Sequence, residues 1–72
     1  MEPVIMRARV LWVRRDHLLV MDRETGQTVR VNTHSALRWR PGNLIRIEYS
    51  GAMTMSIPPQ ISAQRITRDC NC

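Results

Sequence analysis

The sequence predicts an all-β fold, a small five-stranded barrel that is closed or partly open. Three observations carry that prediction. Apolar and polar residues alternate with period two in several short segments, glycine- and proline-bearing turns separate those segments, and the first segment is long and loses its alternation part-way along.

Val4 to Arg14 reads as the first strand. Met6, Ala8 and Val10 share one face and Arg7 and Arg9 the other, as in a half-buried strand. Four apolar residues in succession, Val10-Leu11-Trp12-Val13, then break the alternation and predict a bulge or bend that buries both faces. A long, bent first strand lets a small barrel place one strand in two sheets. Arg14-Arg15-Asp16-His17 is a polar turn, followed by a short apolar strand from Leu18 to Met21. In Asp22-Arg23-Glu24-Thr25-Gly26, Asp22 is placed to accept backbone N–H groups ahead of it, and Gly26 to take the positive φ of a hairpin loop. Thr28 to Asn32 completes the hairpin, with Val29 and Val31 inward and Thr28, Arg30 and Asn32 outward.

Thr33 to Trp39 lacks β-periodicity, and Thr33 or Ser35 can cap only a brief helical element there. Pro41-Gly42 suits the centre of a type II turn. Leu44 to Tyr49 is the fourth strand, with Ile45, Ile47 and Tyr49 on one side and Arg46 and Glu48 on the other. Ala52 to Ile57 reads as extended and ends at Pro58-Pro59, because neither proline can donate to a ladder. Gln60 to Thr67 is the last strand, with Ile61, Ala63 and Ile66 inward, so the domain is expected to cover residues 1–67 and residues 68–72 to form a flexible tail. A long bent first strand and a minor helical element between the third and fourth strands match the Greek-key barrel of OB-fold type. An SH3-like barrel is the alternative, with the Pro58-Pro59 region as its short 3₁₀ connection.

The segment from Ser56 through Pro58, Gln60 and Ala63 to Ile66 is similar to the Ser-x-Pro-x-Gln-x-x-Ala-x-x-Ile ending of a family of uncharacterised small OB-like domains from Gram-positive bacteria, some of them carried in lipoproteins. The upstream Leu19-Val20-Met21-Asp22-Arg23-Glu24-Thr25-Gly26 hairpin is compatible with that resemblance. The resemblance implies a bacterial OB-like fold and brings no catalytic residue with it. Cys70-Asn71-Cys72 is not part of the family pattern.

A chain of 72 residues has room for one core and no cleft between lobes. A core of this size rarely supplies more than about 3 to 5 kcal/mol of net stability, which leaves little to hold strained or desolvated catalytic groups. There is no glycine-rich phosphate loop and no nucleophile elbow, and Ser35 beside His34 or Asp16 beside His17 are sequence neighbours only. No enzymatic activity and no cofactor are therefore expected. No run approaches the roughly 20 apolar residues of a membrane span. Residues 1–7 lack the basic and apolar blocks of a signal peptide, so a cytoplasmic location is expected.

Charge points to the function. All eleven basic residues are arginine, against six acidic ones, for a net charge of +5. Such an excess favours anionic partners, of which single-stranded DNA or RNA suits an OB barrel; the alternative is a solvated basic face that only keeps the chain soluble. The expected binding residues are Arg14, Arg15 and His17 in the first loop, Arg30 and Asn32 on the third strand, and Arg38, Trp39 and Arg40 before the fourth. Guanidinium groups pair with phosphate and, like aromatic rings, stack on bases. Trp39 is the expected stacking platform, since Trp12 and Tyr49 are expected in the core. A competing reading is a structural or protein-interaction domain, with Met53, Met55 and Ile57 as an adaptable apolar strip for a partner or a second copy, unless those side chains plug the barrel end. His17, His34, Cys70 and Cys72 are ligand types without the close-spaced pairs of a zinc knuckle, so no metal site is expected. One residue between Cys70 and Cys72 makes an intrachain bridge tight, which leaves free thiols or a link between two chains.

Overall fold

Alternation in the sequence becomes a curled sheet. The computed structural model describes residues 2 to 69, whose extents are 29 × 24 × 23 Å. The strands are β1 (Val4–Val13), β2 (His17–Asp22), β3 (Thr28–Asn32), β4 (Leu44–Tyr49), β5 (Gln60–Ser62) and β6 (Arg65–Arg68), with a 3₁₀ turn at Ala36–Arg38 between β3 and β4. They form one sheet in the order β5-β3-β2-β1-β4-β6. The fold is all-β and barrel-like. Among the described residues no helix is long and apolar enough to cross a membrane.

β1 joins the two halves of the sheet because its two ends reach different partners. Val4 to Arg9 pair antiparallel with β4, while Ala8 to Val13 pair antiparallel with β2. The register of the second ladder slips between Val10 and Trp12, which places the bulge at Leu11, within the run where alternation fails. The slip also corrects one expectation: Trp12 is 57% exposed, not buried.

There are six strands and not five because the expected last strand breaks at Ala63-Gln64. β5 runs parallel to β3 and β6 antiparallel to β4. At the break itself, Ala63 N–H donates to Asn32 O at 3.0 Å and Gln64 N–H to Glu48 O at 2.7 Å. One chain segment thus passes from one edge of the sheet to the other and draws the two edges together.

Both turns form as their residues require. Asp22 O accepts Gly26 N–H at 2.8 Å and Asp22 Oδ1 accepts Glu24 N–H at 2.8 Å, while Gly26 has φ +76°, a conformation costly for any residue with a Cβ. Gly42 has φ +93°, and Asn43 N–H closes its turn onto Arg40 O at 3.1 Å.

The core is the inward half of the alternation. Met6, Ala8 and Val10 of β1, Leu18 and Val20 of β2, Val29 and Val31 of β3, Ile45, Ile47 and Tyr49 of β4, and Ile61 of β5 are buried. Ala63 and Ile66 are partly buried against them. Two further expectations are corrected. Ala52 to Ile57 is not a strand but a loop tied to the start of β5, with Thr54 N–H donating to Gln60 O at 3.0 Å and Gln60 N–H to Thr54 Oγ1 at 2.9 Å. Arg68 belongs to β6 and Asp69 is buried, so the ordered fold extends past residue 67. Cys70 and Cys72 lie outside the described residues.

Candidate nucleic-acid interface

Beyond the bulge, the outward positions of four strands line up. Trp12 of β1 is opposite Leu19 of β2, Leu19 opposite Arg30 of β3, and Arg30 opposite Gln60 of β5. These four residues, with Arg14, His17, Ile57 and Pro58, line a groove of about 370 Å³. One wall is the loop between β4 and β5, fastened to the sheet where Arg30 N–H donates to Pro59 O at 2.9 Å. The opposite rim is the loop between β1 and β2.

The polar groups around this groove are aimed by their neighbours. The Arg14 guanidinium lies 4.9 Å from the Trp12 ring centroid, within cation–π range. Arg30 Nε donates to Asn32 Oδ1 at 3.1 Å, and Asn32 Nδ2 donates in turn to Gln60 Oε1 at 3.4 Å. His17 Nδ1 sits 2.8 Å from Asp16 Oδ1, and that bond holds the Asp16 carboxyl below the usual carboxylate range against the opposing effect of desolvation. An aromatic face with a cation above it, an apolar floor at Leu19 and amide groups at the far end suit a flat, partly polar ring, with guanidinium groups on both sides for its phosphate.

Arg14, His17 and Arg30 line this groove, Asn32 is bonded to Arg30 beside it, and exposed Arg15 lies in the same loop as Arg14. Arg38, Trp39 and Arg40 do not join them. The 3₁₀ turn sets Ala36 and Trp39 on one side, three residues apart, and Trp39 N–H donates to Ala36 O at 3.1 Å. Trp39 is consequently buried in the core at 8% exposure, with its indole Nε1 making no hydrogen bond among the described residues, while Arg38 and Arg40 face solvent on either side. The exposed tryptophan is thus Trp12, and Trp39, the expected platform, is in the core. The sequence reading also misses Leu19, Pro58 and Gln60; the signal that finds Trp12 and Leu19 is the change of facing that a bulge imposes on every residue after it.

The other candidates are dispersed. Met53 packs against the core, whereas Met55 and Ile57 are 98% and 100% exposed, so the methionine strip divides between the barrel and solvent. Ser35 Oγ is 3.1 Å from Thr33 Oγ1, and His17 Nδ1 is 2.8 Å from Asp16 Oδ1. No group of three metal-ligating side chains occurs among the described residues. No match to the chain is found among protein families, curated proteins or solved structures.

Proposed function

We propose that this chain is a non-enzymatic, OB-type module that binds single-stranded nucleic acid in the Trp12 groove. The observation that carries the reading is the cross-strand row Trp12–Leu19–Arg30–Gln60 with the Arg14 guanidinium over the Trp12 ring. The OB assignment draws support from the connectivity: counted as the two halves of one strand, β5 and β6 give a five-stranded barrel with β1 shared between both sides. The groove lies on the strand two and three face between the first and the fourth connecting loops, where such barrels take oligonucleotides. It accommodates bases by stacking, without demanding a particular one.

The test is a titration of short fluorescent single-stranded DNA and RNA over a series of salt concentrations, with duplex controls. Stacking on an aromatic side chain contributes about 1 to 3 kcal/mol per base, so Trp12→Ala is expected to weaken binding roughly 5- to 150-fold. Arg30→Gln is expected to reduce the slope of log affinity against log salt by about 0.7. Absence of saturable binding at low salt, or affinity indifferent to Trp12→Ala, rejects the proposal. The fully exposed Met55 and Ile57 favour one competing reading, docking of a protein partner or a second copy on the loop between β4 and β5. Sedimentation over a concentration series, with Met55→Ser as control, tests the second-copy form of it.

A further inference from the structure

The other half of the sheet carries arginines that the Trp12 groove does not use. On the outward faces of β1, β4 and β6 the register sets Arg7 opposite Arg46 and Arg46 opposite Thr67, with Arg9 beside Leu44 in the next outward row. Like charges set directly across antiparallel strands repel, so this row needs an anion. Asp69 supplies one. Its Oδ2 accepts from Arg7 Nε and from Arg23 Nη1, each at 3.0 Å, and its Oδ1 from Arg7 Nη2 at 3.4 Å.

One carboxylate does not balance the cluster. Arg7, Arg23 and Arg46 all bear on Asp69, Glu24 acts on Arg7 only through charge with no ion pair within 4 Å, and Glu48 reaches Arg65 only at 3.8 Å. Among the described residues Arg9 and Arg46 have no carboxylate within 4 Å. Each guanidinium has five N–H donors, and Asp69 occupies only three of the ten on Arg7 and Arg23. Beside the row, Ile5, Arg46, Glu48, Arg65 and Thr67 line a depression of about 230 Å³. No aromatic ring is available here: Tyr49 and Trp39 are buried, and Trp12 lies on the other half of the sheet.

We propose that this face is a second nucleic-acid contact that takes the phosphodiester backbone and ignores the bases. Arg46 and Arg9 are its unpaired cations, Arg7 and Arg23 are held in position by Asp69, and the Thr67 hydroxyl, opposite Arg46, adds a neutral donor. The face lacks an aromatic ring, so it attracts a strand chiefly through charge and hydrogen bonds to the backbone. It is independent of the Trp12 groove, and either proposal can fail without the other.

The discriminating probe is a fluorescent abasic strand, which keeps the phosphodiester chain and has no bases to stack, compared with the same strand carrying thymine. The double variant Arg9→Gln/Arg46→Gln removes no ion pair and is expected to fold as the wild type does, checked by thermal unfolding. It should bind the abasic strand more weakly, with a salt slope shallower by about 1.4, the value for two lost contacts on single strands. Arg9→Lys/Arg46→Lys should retain the slope, and Trp12→Ala should weaken the thymine strand far more than the abasic one. A wild-type protein that does not bind the abasic strand at low salt, or a double glutamine variant with unchanged slope, overturns the proposal. Loss of abasic binding on Trp12→Ala overturns it as well, since the backbone would then be held in the Trp12 groove.

Discussion

Ile61→Ala tests whether the barrel is closed by packing as well as by backbone hydrogen bonds. Ile61 sits in the three-residue strand β5, opposite Val31 of β3, and is 2% exposed. The substitution deletes three buried carbon groups, at about 0.8 kcal/mol each for transfer out of water, and the cavity left behind adds to that. A loss of about 3 kcal/mol follows, within the usual span of about 2 to 5 for such a truncation. A core of this size rarely supplies more than about 3 to 5 kcal/mol of net stability, so the variant should be close to unfolding at room temperature. The melting temperature should fall by about 12 to 24 °C, taking about 4 to 8 °C per kcal/mol in a domain this small. Urea unfolding followed by circular dichroism measures the loss directly, with Ile57→Ala as the control: Ile57 is fully exposed, and its truncation should change stability by no more than about 0.5 kcal/mol. A loss for Ile61→Ala no larger than for Ile57→Ala would refute the reasoning, because β5 would then not be seated on the core.

Two further outcomes follow from the electrostatics and from the two tryptophans. The Asp69 carboxyl is held below the usual carboxylate range, first by the Arg7 hydrogen bond and then by the charges of Arg7, Arg23 and Arg46, with burial acting the other way. A carboxyl with a depressed folded-state pKa contributes stability that is complete above the ordinary carboxylate range and is lost as pH falls through the folded value. Asp69→Asn should therefore be less stable than wild type at neutral pH, and the gap should narrow on acidification. Denaturant midpoints measured down a pH series check this, and a gap that stays constant with pH removes the linkage. In fluorescence, Trp12 should be quenched by a neutral quencher and Trp39 protected, so Trp12→Phe should leave a blue-shifted, poorly quenched emission. Strong quenching that survives Trp12→Phe would contradict the burial of Trp39.

Most of the fold is legible because period two records which face is dry. The inward residues at Met6, Ala8, Val10, Val29, Val31, Ile45, Ile47, Tyr49 and Ile61 are the ones that alternation selects. The candidate site is only half legible, and the reason is local. Counting in twos from Val10 puts Trp12 inside, but the bulge at Leu11 shifts the count by one and turns Trp12 outward. Alternation announces that such a break exists without saying which residue absorbs it. Trp39 follows a different period, because a turn with three residues per repeat ties it to Ala36 and the core. Asp69 gave no local sign at all, since its partners Arg7 and Arg23 lie 62 and 46 residues away along the chain. The break at Ala63-Gln64 is likewise set by the two strands it must bridge, Asn32 and Glu48 each accepting one of its N–H groups.

The bridging segment has a consequence for how the chain is made. During synthesis β1 to β4 emerge first and pair with near neighbours, yet β3 and β4 remain open edges until residues 60 to 69 leave the ribosome. For that interval the nascent chain presents two unpaired ladders, the kind of surface that joins to other chains. Protection comes last, from the segment that joins both edges and then locks through Asp69 onto the first strand made. A chain cut short of residue 60 would therefore keep both edges of its sheet open, an adhesive surface that the full segment covers.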